Sequence, residues 1–452
     1  MFRPSGFADL AHRRVGVFGY GVEGRATEAR LKELNADVVI VDDADLGGEV
    51  LVSGRGGHAA LLTCDVVLKS PGIPRRRADV TEIEKHGVTV TSALNLWLHD
   101  AERSRVVAVT GTKGKSTTTS LITFFLRTVG ESAQSLGNIG QPPYAPSVDT
   151  SSGWLVLEVS SFQCVDLDVA PATVAVTSLG EDHVDWHGSL AQYHEDKLSL
   201  TRAPGDHRTF VAESTTLRAA ADRLGGTVVF VDADSTGLAA ALGLIGAHND
   251  ANVALATAVT ASLVGASLDD VRSAIAADAA KFTPLRGRLT LVGVEETGGI
   301  HVRYVDDGLA TSPLPAAAAL EVFADQPLGL LVGGFDRGVD YAPLAAALAG
   351  RQRPTRVVTM GPAGQRIAAL LRAQATDVDL IAATSMASAI ETARAFLTRG
   401  GVVLLSPAAP SFDAYRNWEE RSDDFTALVR GRLGEAAPSG DAPAPEGSDV
   451  VG

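Results

Sequence analysis

The run VVAVT (Val106–Thr110) leads into GTKGKSTTT and then into a stretch with helical spacing, Ser116–Val129. A β-branched run, a glycine-rich loop and a helix, in that order, are what a triphosphate needs. Gly111 and Gly114 let the backbone turn its N–H groups inward. The loop Gly111, Thr112, Lys113, Gly114, Lys115, Ser116 and Thr117 then forms an anion nest at a helix N-terminus. Lys115 would bridge the β- and γ-phosphates as a point charge, and the Ser116 hydroxyl would hold Mg²⁺. The first Gly of the usual eight-residue pattern is replaced by Val109.

Further on, WLVLEVSSFQ carries Glu158 at a strand end, where the metal of a bound nucleotide lies if the two strands are neighbours. SLGEDHVDWHGSLAQYHEDKLSL then sets His183 among Glu181, Asp182 and Asp185, with Lys197 on a following helix. Alone, a strand-end Glu reads as a solvated charge and a single His as structural. After a phosphate loop both become metal-ligand candidates. A second glycine loop, GYGVEGRA, follows RVGVFG and presents Gly19, Gly21 and Gly24, and Asp42 closes the next strand. By itself this is a dinucleotide fingerprint and supports an NAD(P) oxidoreductase. The same geometry holds any diphosphate, and beside a phosphate loop a nucleotide-sugar site is the more economical choice.

The elements that must position these residues alternate. Short apolar runs such as Arg14–Gly19, Asp37–Asp42, Asp65–Leu68, Arg105–Thr110, Trp154–Val159, Thr173–Thr177, Leu328–Gly333 and Gly401–Ser406 read as strands. Thr27–Leu34, Ser116–Val129, Asn249–Val264, Pro343–Leu348 and Met386–Thr398 read as helices. Such alternation predicts doubly wound α/β architecture with parallel sheets. Three blocks are expected, 1–100, 101–284 and 285–434, followed by a Pro/Ala/acid-rich tail, 435–452, expected to be disordered. A chain of 452 residues accommodates them. The formal charge of −15 argues against nucleic acid as a partner. Cys64 and Cys164 form no CxxC pair and read as buried free thiols. No signal-peptide pattern opens the chain, and no apolar run reaches the length of about 18 residues that a membrane span needs. A cytoplasmic location is therefore expected.

Taken in order, eleven segments resemble the motifs of the Mur ligase family over about residues 14–430. They are GYGVEGRA, SPGIP (Ser70–Pro74), GTKGKSTTT, GNIG (Gly137–Gly140), EVSSFQ, EDHVDWHGS with Lys197, GAHNDAN (Gly246–Asn252), LRGRL (Leu285–Leu289), VDDGLATSP (Val305–Pro313), VGGFDRG (Val332–Gly338) and SPAAPSFDAYRNWEERSDDF (Ser406–Phe425). The resemblance implies three domains: an N-terminal Rossmann-like domain for UDP, a central P-loop ATPase domain with a parallel sheet, and a C-terminal Rossmann-like domain that closes with the incoming amino acid. It implies ATP-dependent addition of glutamate to UDP-N-acetylmuramoyl-L-alanine through an acyl phosphate, in peptidoglycan precursor synthesis. ATP and two Mg²⁺ ions are implied, Mn²⁺ suiting the same oxygen ligands. The partners would be those substrates, with neither nucleic acid nor membrane, and the enzyme a monomer.

By the same resemblance, Gly19, Gly21, Asp42, Ser70 and Gly72 would line the UDP site, and Asn138 would touch the sugar-peptide. Lys115, Ser116 and Glu158 would hold the triphosphate and first metal. His183 would hold the second, bridged to Lys197 as a carbamate. Asn249, Asn252, Arg288 and Asp307 would contact ATP. Departures from the D-glutamate-adding pattern, Asp-Ser-Lys-Ala-Thr, occur at Asp307–Gly308–Leu309–Ala310–Thr311, where the Lys is lost. Arg337 replaces a Lys and Trp418 a Phe, while Ser411 is retained. Thr311, Arg337, Ser411 and Trp418 would bind the amino acid. Arg and Lys approach a carboxylate differently, so the changes suggest a different stereochemistry or side chain for the amino acid. The GVEGRA and APSF segments resemble a related subfamily that adds L-glutamate, which is therefore favoured, with D-glutamate as the alternative.

Overall fold

The structure is a computed structural model that describes residues 2–374 and 378–434; the tail 435–452 lies outside them. Three sheets follow one another along the chain. The first has the order β3-β2-β1-β4-β5, from β1 (Arg14–Phe18), β2 (Asp37–Asp42), β3 (Leu51–Val52), β4 (Val66–Lys69) and β5 (Thr89–Thr91). The second runs β11-β10-β9-β6-β8-β7, from β6 (Val106–Thr110), β7 (Ala133–Gly137), β8 (Trp154–Glu158), β9 (Thr173–Val176), β10 (Arg208–Ala212) and β11 (Thr227–Val231). The third runs β12-β13-β17-β14-β15-β16, from β12 (Thr290–Thr297), β13 (Ile300–Asp306), β14 (Leu328–Gly333), β15 (Thr355–Met360), β16 (Asp379–Ala382) and β17 (Gly401–Leu405).

All pairings are parallel except β12 with β13. Parallel strands covered on both faces need continuous apolar runs, and β6 is buried at all five positions. The β12–β13 hairpin was not among the expected elements. Its two-residue turn, Gly298–Gly299, has φ of 59° and 80°, the left-handed pair that a type I′ turn requires. The Gly-Gly pair was its sequence signal.

The strands fall within a residue or so of their expected bounds. The first helix does not: it spans Val22–Glu33, starting at the glycine loop itself, where apolar spacing alone suggested Thr27. Among the described residues no single helix is long and apolar enough to cross a membrane.

The chain forms two compact units. One comprises the residues up to Leu238 with His248–Ala279; the other comprises Ala239–Ala247 with the described chain from Ala280. Within the first, one apolar cluster runs through both sheets, from Phe7, Val17 and Trp97 to Leu136, Tyr144 and Leu157. Within the second, Ile245 packs on the cluster of Val305, Leu330 and Val332. That apolar contact explains why Ala239–Ala247, expected in the middle block, belongs with the C-terminal residues.

At the outer edge of the third sheet, Glu295 on β12 takes Arg394 at 2.6 Å, Arg432 at 2.7 Å and the Tyr304 hydroxyl at 2.7 Å. Hydrogen bonds from Arg394, working against burial and reinforced by Arg432, hold its carboxyl at about 2. A carboxylate with a depressed folded pKa contributes stability above its unfolded pKa and loses it as pH falls. Glu295→Gln is expected to lower stability by roughly 1–3 kcal/mol at pH 7. The gap from wild type should shrink between pH 4.5 and 2, as read by thermal melts across that range.

Candidate active site

The phosphate loop sits between β6 and the helix Lys115–Thr128. Gly111 and Gly114 have φ of 141° and 86°. A Cβ at Gly111 would stand 2.1 Å from Thr177 Oγ1, and one at Gly114 would stand 2.5 Å from Asn252 Oδ1. Both positions therefore require glycine for space as well as for conformation. The loop is braced from β9: Thr112 N–H donates to Ser178 O (2.9 Å), Lys113 N–H to Ser178 Oγ (2.8 Å), and Thr177 Oγ1 to Lys113 O (2.5 Å). Thr112 Oγ1 accepts from Gly180 N–H and from the Tyr193 hydroxyl, both at 2.9 Å. Lys115 Nζ folds over the loop and donates to Gly111 O (3.0 Å) and Thr112 O (3.2 Å). Asn249 and Asn252 lie at the start of the helix His248–Val264 and are buried. Asn252 accepts from Thr118 Oγ1 (3.3 Å) and donates to Asn249 Oδ1 (2.9 Å), so in this structure the pair is tied to the helix that follows the loop.

Glu158 pairs with Val109 in the β6–β8 register, beside the loop. Its Oε1 accepts from Asn138 Nδ2 at 3.0 Å. Its Oε2 is buried without a hydrogen-bond partner. An unsatisfied buried carboxylate oxygen is unfavourable by several kcal/mol, and a hard cation would relieve it. Ser116, buried in the first turn after the loop, supplies a hydroxyl oxygen. These donors suit Mg²⁺, which is commonly held by one or two carboxylates together with substrate phosphates. Among the described residues no three His, Cys, Asp or Glu side chains converge, so phosphate oxygens and other donors would have to complete the shell.

His183 takes a left-handed conformation, φ 47°, and its ring lies 4.8 Å from that of Phe162. Burial, reinforced by Lys115 and Lys197, pushes its pKa down despite Asp182, favouring the neutral imidazole that binds metals. Lys113 Nζ stands 3.3 Å from Asp182 Oδ2. Lys197 is 2% exposed. Its Nζ donates to Gly111 O at 2.8 Å and lies 5.0 Å from the Tyr193 ring. Burial, then the Lys115 charge, brings its pKa down to about 7. An amine neutral near pH 7 is nucleophilic enough to take up carbon dioxide as a carbamate.

In the first sheet, the loop after β1 enters the helix Val22–Glu33 directly, and Gly19 has φ 94°. A Cβ at Gly24 would lie 2.1 Å from Gly19 O, so that glycine seats the helix on the loop. Gly21 and Gly72 have open space at the same position. Asp42 accepts from Tyr20 N–H (2.6 Å) and Ala44 N–H (2.8 Å), and Ser70 Oγ donates to Gly19 O (2.6 Å). A cleft of about 450 Å³ opens beside them, lined by Tyr20, Arg25, Glu28, Ile40 and Leu46–Val50. The sequence had not singled out that lining.

In the second unit, the segments after β13, β14 and β17 gather at the C-terminal ends of neighbouring strands, the usual ligand edge of such sheets. Asp307 accepts from Ser406 Oγ at 2.7 Å. Burial, aided by Asp306, raises its pKa to about 7, while Arg288 acts in the opposite sense. Thr311 closes the turn by donating N–H to Leu309 O (2.8 Å). Trp418 begins the helix Trp418–Leu433 and packs over Gly287, whose Cβ would meet its ring at 2.5 Å. Arg337 lies 5.9 Å over the exposed ring of Phe412, and Ser411 is buried. Sequence reasoning missed Arg421, buried one helical turn after Trp418, which donates to Ala409 O (3.0 Å) and Gly308 O (3.1 Å) and so joins two of these segments.

Fold and site together define a phosphate-loop nucleotide-binding protein of the doubly wound α/β class. The Mur ligase middle domain matches residues 109–222. A UDP-N-acetylmuramoyl-L-alanine–L-glutamate ligase of Micromonospora sp. is 38% identical, over 95% of this chain and 99% of that one. The ligase of the same name from Salinispora tropica is 37% identical over 94% and 99%. A UDP-N-acetylmuramoylalanine–D-glutamate ligase of Symbiobacterium thermophilum is 33% identical over 84% and 87%. Among solved structures, the MurF ligase of Thermotoga maritima in complex with ADP has the same fold, with a TM-score of 0.53 at 16% identity, over 94% of this chain and 99% of that one. The chain belongs to the Mur ligase family.

Gly114→Ala is expected to strain the loop by about 1–2 kcal/mol and to displace Asn252; a lower melting temperature and weaker ATP binding by calorimetry would report it. Asp307 has a folded pKa above its unfolded one, so its contribution to stability is present below pH 4 and lost as pH rises towards 7. Asp307→Asn removes that dependence. The variant should gain on wild type in thermal melts as pH goes from 4 to 7.

Proposed function

We propose that this chain is an ATP-dependent ligase that joins glutamate to UDP-N-acetylmuramoyl-L-alanine in peptidoglycan precursor synthesis. The observation that carries it is Lys197, a buried amine held on the phosphate loop's Gly111 carbonyl, in a chain that aligns nearly end to end with ligases of that name. Two anions must react: the alanine carboxylate of the acceptor and the γ-phosphate of ATP. Lys115 and the inward N–H groups of the loop bind and orient the triphosphate. Ser116 and Glu158 would hold one Mg²⁺, and His183 with a carbamylated Lys197 a second; such ions neutralise phosphate charge. The carboxylate oxygen forms a bond to the γ-phosphorus and the bond to the β-bridging oxygen breaks, releasing ADP. The amine of glutamate then attacks the acyl carbon, loses a proton, and phosphate departs as the amide forms.

For the nucleotide sugar, Gly19, Gly21, Asp42, Ser70 and Gly72 would line the UDP site, near the cleft that Tyr20 and Arg25 line, and Asn138 would meet the sugar-peptide from beside Glu158. Asn249, Asn252, Arg288 and Asp307 would serve ATP. Both substrates are water-soluble nucleotides, which agrees with action in the cytoplasm. The glutamate is taken to be the L-isomer. Supporting this are the loss of a lysine at Leu309, the planar cation at Arg337 and the broad ring of Trp418 on Gly287, together with the L-glutamate names of relatives such as those of Micromonospora sp. and Salinispora tropica, each matched over more than nine-tenths of the chain.

Purified enzyme with ATP, Mg²⁺, the muramoyl-alanine nucleotide and each glutamate isomer in parallel tests this. ADP release is expected only when acceptor and amino acid are both present, with kcat/KM at least about tenfold higher for L-glutamate, the effect of roughly 1.4 kcal/mol in transition-state binding. Turnover with D-glutamate alone would reverse the stereochemical assignment, and binding of NAD in place of ATP would end the ligase proposal. Lys197→Ala should lower kcat by on the order of 100-fold, as loss of a metal-site partner does.

A further inference from the structure

Three side chains converge on Asp196, the residue before Lys197 on the helix Leu190–Arg202. The Arg76 guanidinium reaches its two oxygens with paired hydrogen bonds, both 2.7 Å. His187 Nδ1 lies 2.7 Å from Oδ2, and Gln192 Nε2 donates to Oδ1 at 2.9 Å. The other imidazole nitrogen, Nε2, stands 3.0 Å from Ser161 Oγ. The carboxylate side chain is 2% exposed and that of His187 is fully covered.

Two of these partners, Arg76 and His187, and the Ser161 behind His187, come from segments with other tasks. Arg76 lies in the SPGIPRRR loop (Ser70–Arg77) that carries Ser70 and Gly72. His187 ends the short helix Val184–His187 that follows His183. Ser161 lies three residues beyond Glu158. A further tie runs alongside: Trp186 Nε1 donates to Gly72 O at 3.3 Å, and its ring packs on Phe162 at 4.6 Å. An ionised carboxylate only accepts, so His187 Nδ1–H must donate to it, which fixes the ring. Arg76 binds through a planar fork, which a lysine cannot reproduce. Burying such a pair adds little net stability. What it supplies is fixed geometry.

Resting on the ligase reading, we propose that Asp196 is a positioning residue, which sets the nucleotide-sugar loop through Arg76 and the His183 turn through His187 against the helix bearing Lys197. Capture of the UDP-sugar and placement of the metal-binding residues are thereby one arrangement.

Steady-state kinetics on Arg76→Gln, Asp196→Asn and the double variant test it, with ADP release by the wild type first establishing the ligase activity independently. Each single variant should lower kcat by about 10- to 100-fold, as partners of metal-binding groups do, and raise KM for the muramoyl-alanine nucleotide. KM for ATP should stay unchanged. The double variant should be no worse than Asp196→Asn, and Arg76→Lys should recover only part of the loss. Arg76 is half-exposed, so Arg76→Gln removes the fork from the solvent side if Asp196→Asn fails to fold. Wild-type kcat and KM in Arg76→Gln, or losses that simply multiply in the double variant, would overturn the proposal.

Discussion

Backbone amides can be aimed at a single point only if the chain turns through conformations that side chains resist, and the phosphate loop is built around that constraint. Gly111 and Gly114 sit in the left-handed region with no room for a Cβ. Thr177 and Ser178 on one side and Asn252 on the other fill the space that side chains would have taken. The loop in turn offers the Gly111 carbonyl to both Lys115 and Lys197. Burial first, and then the charge of Lys115 on the same carbonyl, lowers the pKa of Lys197 to about 7. The shape of the loop, by drawing both side chains to one carbonyl, adds to what burial does to Lys197.

The first two sheets meet through polar contacts as well as apolar ones. Lys69 stands 2.6 Å from Asp166 with both side chains out of solvent. Glu23 accepts from the Tyr144 hydroxyl at 2.9 Å and from Gln163 Nε2 at 2.7 Å. Burial raises the pKa of both acids. Ion pairs in such a seam specify one register more than they add stability. They fix which residues of the first sheet face the strand-end acid and the His183 turn.

Much of this was legible in the residues. Glycines at 111 and 114, a lysine and a serine after them, and an apolar run before them have few physical uses, so the loop and its neighbouring strands could be read directly. Asp42 at a strand end and Glu158 beside the loop followed from the same strand-edge logic. Partnerships between distant segments were not legible. Nothing local marks Arg76 as the fork for Asp196, because the two are brought together only by the packing of two sheets. Arg421 looked like any helical arginine, and only burial shows that its donors serve two loop carbonyls. The helix at Val22 begins earlier than apolar spacing predicts because its first turn lacks an apolar stripe and is set by the glycine loop before it. The hairpin at Gly298–Gly299 is hard to read from sequence because its outer strand, β12, is largely uncovered and so carries a weak apolar signal.

The excursion Ala239–Ala247 has a topological consequence. The backbone changes unit at Leu238, again at Ala247 and a third time at Ala279. Neither unit is a continuous piece of polypeptide, so no single cut releases one intact from the other. A ribosome has finished most of the first unit before the short Ile245 segment has anything of its own to pack on, and that segment must wait, uncovered, for strands made later.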